Sequence, residues 1–129
     1  MTLKLGTTMR NLIADAMGTE LASATLSVYT GSQPADPQAT ATGTKLVDIT
    51  LTSFDTAASG VAALNTASPN DGTAVATGTA GWARLISASS RRIDGTVGTT
   101  GTDFIINTAS ITNGGTVTLL EMDITQPES

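Results

Sequence analysis

The sequence predicts an all-β fold, an antiparallel β-sandwich or jelly roll of about six to eight short strands with one short N-terminal helix. Three observations predict it. Apolar and polar residues alternate with a period of two in several separate segments, the signature of strands with one face turned inward. Turn signals recur at the spacing of about 8–12 residues that is common in sandwiches and barrels. Threonine occurs 25 times and glycine 13 times; the branched Cβ of threonine suits a pleated surface, and glycine suits tight turns. A length of 129 residues suits a single domain, 1–129, large enough for a hydrophobic core. With one Trp, one Tyr and two Phe, that core is expected to be thin.

Taken in order, Met1–Gly6 is a short arm with Leu3 and Leu5 alternating, an edge strand or a docking segment. Thr7 or Thr8 is the expected N-cap of a helix running to about Met17, because a hydroxyl there accepts a free first-turn N–H. Met9, Leu12, Ile13 and Ala16 share one helix face, which is expected to pack inward. Gly18 is the expected stop, so residues 1–18 form the arm and helix. Ala24–Thr30 sets Leu26 and Val28 against Thr25, Ser27 and Tyr29. Gly31–Thr44 carries two of the four prolines and no large apolar residue, and reads as a surface loop. Lys45–Leu51 is a strong strand with Val47, Ile49 and Leu51 inward. Val61–Leu64 is a short strand, Ala67–Gly72 a turn, and Thr73–Thr79 a weakly apolar stretch.

Ala80–Val97 is the stretch that organises the rest. It holds the only tryptophan, Trp82, and three of the six basic residues, Arg84, Arg91 and Arg92. Trp82, Arg84 and Ile86 alternate with Ala83 and Leu85. Ser87–Ser90 reads as a turn of about four residues and Arg91–Val97 as the returning strand. Trp82 is expected to share one core with Leu26, Val47, Ile49 and Phe104. Asp103–Ile111 is a strand with Phe104 and Ile106 on one face. Asn113-Gly114-Gly115 is a hairpin turn signal. In Thr116–Thr125, Val117 and Leu119 sit on one parity and Leu120, Met122 and Ile124 on the other, which reads as a bulge near Leu119. Gln126–Ser129 is a polar tail.

The chain offers little chemistry. Histidine and cysteine are absent, which removes the usual nucleophile–base pairs and transition-metal ligand sets. Glu121 and Asp123 share one face of a strand and read as a solvated edge rather than an acid/base pair. Asn70-Asp71-Gly72 and Asp94-Gly95-Thr96 lack the spacing of a calcium loop and read as turns. Gly114-Gly115 has neither the lysine nor the helix of a phosphate loop. Arg84, Arg91 and Arg92 form the one basic concentration, either paired within the fold or docking on an acidic partner. A net charge of −5 argues against nucleic-acid binding, which needs a basic face. Arg10 and Asp15 interrupt the N-terminal apolar run, so no signal peptide is expected. No apolar run approaches the roughly 20 residues of a membrane span. The chain is therefore expected to be soluble and made inside the cell. No catalytic, cofactor-binding or metal-binding residue is expected, and the protein is not expected to be an enzyme.

Several short motifs carry a resemblance. They are Arg10-Asn11 in the helix, Tyr29-Thr30-Gly31 with Pro34-Ala35, Gly43-Thr44, and Gly78-Thr79-Ala80 before Trp82-Ala83-Arg84. Asp94-Gly95-Thr96-Val97-Gly98 and Asn113-Gly114-Gly115-Thr116-Val117 complete the set. Through them, over most of its length, the chain resembles a family of small virion-structure proteins of tailed bacteriophages. Capsid decoration, or cement, proteins are likewise small Thr/Gly/Ala-rich β-proteins without catalytic residues. The resemblance implies a protein that binds and stabilises the outer head surface, with the phage major capsid protein as partner. It implies a homo-oligomer, assembled in the bacterial host cytoplasm and located in the virion, with no nucleic acid and no membrane bound. Met1–Met17 and the Gly31–Thr44 loop are the candidate contact segments. The alternatives are a tail component (tube, tip or fibre module) and a host-surface or glycan-binding β-domain, which would need exposed aromatic rings to stack on sugars.

Overall fold

The computed structural model describes residues 4–65 and 70–125. It is an all-β fold with one helix, α1 (Thr7–Leu21). The strands are β1 (Thr25–Tyr29), β2 (Lys45–Thr50), β3 (Val61–Ala63), β4 (Asp71–Thr73), β5 (Gly78–Thr79), β6 (Trp82–Ile86), β7 (Arg92–Gly98), β8 (Phe104–Ile106), β9 (Ser110–Ile111), β10 (Thr116–Glu121) and β11 (Asp123–Thr125). Seven strands form one sheet in the order β2-β1-β6-β7-β8-β10-β4. Two small pairs, β11-β3 and β5-β9, stand beside it.

The large sheet curls until its edges nearly meet. The Val75 amide donates to the Leu46 carbonyl at 2.8 Å, joining the chain beyond β4 to β2. Gly72 permits this approach. A Cβ there would lie 2.1 Å from the Asp48 carbonyl oxygen and 2.8 Å from Val47 Cγ2. Gly72→Val is therefore expected to lower stability by about 2–3 kcal/mol through overpacking at the closure. Urea unfolding checks this, and a change under about 1 kcal/mol would mean that the two edges do not depend on each other.

Leu26, Val28, Val47, Ile49, Ala83, Leu85, Phe104, Ile106, Val117 and Leu119 are buried in one core on the inner face of this sheet. Fully burying each of the larger of these side chains contributes roughly 1.5–3 kcal/mol. Leu26, Val28, Val47 and Ile49 are buried as expected, but Ser27 and Leu46 are buried as well, so burial does not alternate strictly along β1 or β2. The expected parity switch in the last strand is present too. The register with β8 shifts between Leu119 and Glu121, leaving Leu120 exposed and Met122 buried.

Trp82 is buried, but not in that core. It pairs with Tyr29 on one side and Thr96 on the other, on the face opposite Ala83 and Leu85. Both faces of β6 are covered, so four successive residues, Trp82–Leu85, are buried.

Other expectations are corrected. The pair β7–β8 is parallel, so the sheet is mixed. Thr99–Thr102 coils back to bring Asp103 beside Thr96, whose amide and hydroxyl donate to the Asp103 carboxylate at 2.9 and 3.1 Å. The segment expected as one strand over Asp103–Ile111 breaks at Asn107–Ala109, because Asn107 turns to exchange hydrogen bonds with Thr118. Asn113-Gly114-Gly115 does form a turn, with the Gly115 amide on the Thr112 carbonyl at 2.9 Å. The strands it joins do not pair as a hairpin, since β9 pairs with β5 and β10 with β8 and β4. Asp71-Gly72 lies in β4 and Asp94-Gly95-Thr96 in β7, strands rather than turns. Residues 67–69 of the expected Ala67–Gly72 turn, half of the arm Met1–Gly6 and the tail Gln126–Ser129 lie outside the described residues.

The helix departs most from expectation. It begins after Gly6 with no side-chain cap and runs through Gly18 to Leu21. Gly18 does not end the helix; it sits where the helix meets Phe54, whose Cβ lies 3.2 Å from the position of a Gly18 Cβ, so a side chain there would crowd the ring's stem. The buried face is Ala14, Gly18 and Leu21, while Met9, Leu12 and Ala16 face out. The 53–60 loop dictates this choice. Its buried amides need acceptors, and Asn11 and Asp15, one turn apart, supply them. Asp15 Oδ1 accepts from the Ala57 amide at 2.7 Å and Asn11 Oδ1 from the Gly60 amide at 2.8 Å.

Candidate functional site

The polar outer face of β1, β6 and β7 holds the most developed cluster of side chains. Tyr29 and Trp82 occupy paired positions on neighbouring strands, and their rings stack with centroids 4.7 Å apart and planes 15° apart. Arg84 lies two residues further along β6, so its side chain projects from the same face. Its guanidinium carbon sits 5.3 Å from the Trp82 ring centroid. The Arg84 Nε and Nη2 groups donate to the two carboxylate oxygens of Asp94 at 2.8 and 3.0 Å. Asp94 is the residue directly opposite on β7. The two side chains are 4% and 2% exposed, so the pair is sealed from water. Hydrogen bonding to Asp94 holds the Arg84 guanidinium above its ordinary pKa, against the opposing effect of burial.

The cover over this cluster is the strap of residues 31–44. Its side chains are mostly exposed, as expected of a surface loop, but its backbone turns inward. Arg84 Nη1 donates to the Ala39 carbonyl at 2.7 Å, and Arg92 Nη1 donates to the Pro37 and Gln38 carbonyls at 3.3 Å. The strap closes where the Thr30 amide donates to the Thr44 carbonyl at 3.1 Å. Gly43 beside it has φ +83°, and a Cβ would strike the Thr30 carbonyl oxygen at 2.1 Å. Gly43→Ala is expected to cost about 1–3 kcal/mol of stability, by left-handed backbone strain and by contact. Thermal unfolding measures it; an unchanged midpoint would show that the strap does not need this closure.

Both sequence readings of the arginines can now be placed. Arg84 is paired inside the fold, on a carboxylate and beside a ring. The three arginines do not form a basic docking patch, because Arg84 and Arg92 are turned under the strap. Arg91 alone is open to solvent, and it pairs with Glu20 of α1. Glu121 and Asp123 do not share a strand, since β10 ends at Glu121 and β11 pairs with β3 from Asp123. Asp71 Oδ1 accepts from the Thr118 hydroxyl at 2.6 Å. Sequence reasoning missed Asn70, which is fully buried. Its Oδ1 accepts from the Thr52 amide and hydroxyl at 2.9 and 3.1 Å, and its Nδ2 donates to the Asn65 carbonyl at 3.2 Å. Nothing in the local sequence marks an asparagine in a turn-like setting as a buried cross-link.

Three shallow cavities lined by described residues measure about 200, 240 and 250 Å³. All fall below the roughly 300–1,000 Å³ of ordinary small-molecule sites. The smallest lies between α1 and β7, lined by Met17, Leu21 and Ile93 under the Glu20–Arg91 pair. Among the described residues, no helix is long and apolar enough to cross a membrane, and no three acidic side chains converge to hold a metal ion. Comparison with protein-family models, with curated proteins and with solved structures finds no match.

Proposed function

We propose that this chain is a structural protein of a tailed-bacteriophage virion, a decoration protein that binds the outside of the head and stabilises it as a symmetric homo-oligomer. On this reading it is not an enzyme, and the nearly closed sheet is a flattened β-sandwich of the jelly-roll kind. The observation that carries the reading is the strap. Loops as long as residues 31–44 usually serve a function when ordered. This one is fixed at its centre by two arginines, one of them buried, yet offers solvent mainly small uncharged side chains, with Asp36 its single charge. A rigid, nearly neutral surface loop binds with little ordering entropy. Each contact need contribute little, because a capsid lattice repeats it many times and binding favours the assembled shell by mass action.

A glycan-binding role is less favoured. None of the four aromatic rings lies on the open surface, as Trp82 and Phe104 are buried and Tyr29 and Phe54 are half-buried. A tail location uses the same surface chemistry and is separated by experiment. Undecorated heads of the phage that encodes the chain are mixed with the purified protein and sedimented. Saturable binding and a higher disruption temperature of the head are expected. Gln33→Glu with Thr40→Glu, at two exposed strap positions, is expected to leave stability within about 0.5 kcal/mol and to weaken head binding at least tenfold. Binding to isolated tails in place of heads would overturn the head assignment. Full occupancy by the doubly charged strap would remove the strap as the contact.

A further inference from the structure

Asn113 is the one asparagine of the chain followed by glycine. It lies exposed in the turn between β9 and β10, and Gly114 stands at φ +88° with open space around it. With no Cβ on Gly114, nothing blocks the approach of the Asn113 side chain to the Gly114 nitrogen. The other asparagines precede residues that carry a Cβ. Asn11, Asn70 and Asn107 also hold their side chains in hydrogen bonds to distant parts of the chain. The turn itself is docked on the segment after β4. The Gly114 amide donates to the Ala74 carbonyl at 2.8 Å, and the Ala74 amide donates to the Gly115 carbonyl at 2.8 Å. The Asn113 amide donates to the Thr77 hydroxyl at 3.0 Å. Ala74 is buried, and the next residue, Val75, closes the curled sheet on Leu46.

We infer that Asn113 is a site of spontaneous modification, conversion to an isoaspartyl or aspartyl residue, held back by the hydrogen bonds that dock its turn on Ala74 and Thr77. The Gly114 nitrogen gives up its proton and attacks Asn113 Cγ. A Cγ–N bond forms to the main chain, the Cγ–Nδ2 bond breaks, and Nδ2 leaves as ammonia with the proton that the Gly114 nitrogen shed. Water then opens the cyclic imide. Its hydroxyl goes to one of the two imide carbonyl carbons and its proton to the nitrogen. Opening at Cγ gives aspartate. Opening at the main-chain carbonyl gives isoaspartate, which routes the backbone through the side chain and lengthens it by one methylene. In the closed turn the Gly114 N–H is engaged by Ala74, so the nitrogen attacks only after that bond is released. The reaction therefore waits on a local opening of the turn. Its product adds a negative charge and, in the isoaspartyl form, a longer chain in place of the tight turn. Both bonds to Ala74 then lose their geometry, one residue from the contact that closes the sheet. This inference is independent of the decoration role.

The full chain is incubated in mildly alkaline buffer, folded or unfolded in urea, and conversion at each asparagine is followed by peptide mapping with mass spectrometry. Asn113 is expected to convert first in both. The folded chain is expected to convert at least about tenfold more slowly, because its turn must open before the attack. Thr77→Val, at an exposed position, removes one guarding acceptor and is expected to raise the folded rate about three- to tenfold, the effect of one ordinary hydrogen bond on an opening equilibrium. Thr77→Ser keeps the hydroxyl and is expected to match the unaltered chain. Another asparagine converting first, equal folded and unfolded rates, or Thr77→Val no faster than Thr77→Ser would each overturn the inference. The converted chain, separated by its added charge, is expected to unfold at a lower temperature. Asn113→Gln, whose longer side chain does not close the same ring, is expected to show no conversion at this position on the same timescale. An unchanged unfolding temperature after conversion would overturn the link between this turn and the closure of the sheet.

Discussion

Replacing Arg84 with alanine is expected to lower stability by about 3–5 kcal/mol, the usual cost of leaving one half of a buried ion pair without its partner. The loss has three sources. The Asp94 carboxylate would stay buried with no cation against it, the Ala39 carbonyl would lose its donor, and the strap would lose the link at its centre. Arg84→Lys is expected to recover only part, because an ammonium cannot span both carboxylate oxygens and the carbonyl at once. The paired change Arg84→Met with Asp94→Leu is expected to cost much less than Arg84→Ala, since removing both charges leaves none buried. Denaturant unfolding followed by circular dichroism measures all four chains. A loss under about 1 kcal/mol for Arg84→Ala would mean that water already reaches the pair. The pH dependence has a definite sign. The folded-state pKa of Arg84 is raised, so the stabilisation it adds is fully present below the ordinary arginine range. From the Arg84 side, that stabilisation is lost only as pH rises through the still higher folded value, beyond normal assay conditions.

The second large effect is expected at Trp82. The ring is 1% exposed, stacked on Tyr29 and capped by Arg84, and Trp82→Ala is expected to cost about 3–5 kcal/mol. Its Nε1 is buried without a hydrogen-bond partner, itself a destabilising feature. Trp82→Phe keeps the stack and removes the stranded donor, so its cost is expected to stay below about 2 kcal/mol. A Phe variant as damaged as the Ala variant would show that the indole N–H has a partner after all. Equilibrium unfolding measured by circular dichroism suits this pair, because both substitutions remove the single tryptophan signal.

The hairpin between β6 and β7 shows how much of this was legible and where legibility stopped. Alternation, the Ser-rich turn and the returning strand are plain in the sequence. A four-residue turn, Ser87–Ser90, would set Arg84 opposite Ile93. The actual connection spans five residues, with Ser90 in the left-handed region at φ 66°, and sets Arg84 opposite Asp94. A slip of one residue exchanges the faces of a strand, so the ion pair was beyond the reach of pattern alone. The helix failed for a different reason. Its apolar periodicity named a face correctly, but the direction of that face was set by what the 53–60 loop needed. Two acceptors at Asn11 and Asp15, with small residues at Ala14 and Gly18 for close approach, outweighed Met9 and Leu12. The parity switch after Leu119 was readable because a bulge leaves its mark in the order of apolar residues. The parallel pairing of β7 with β8 was not, because the contact that accompanies it, Thr96 donating to the Asp103 carboxylate, is polar and leaves no mark in the apolar pattern.

The decoration role is tested most directly by the number of copies in each purified particle of the phage that encodes the chain, counted by quantitative mass spectrometry on separated heads and tails. The expected result is hundreds of copies, all released with the head protein. About three to twelve copies, the count of a closed ring at a tail tip or fibre, or a long stack of copies retained by isolated tails, would contradict it.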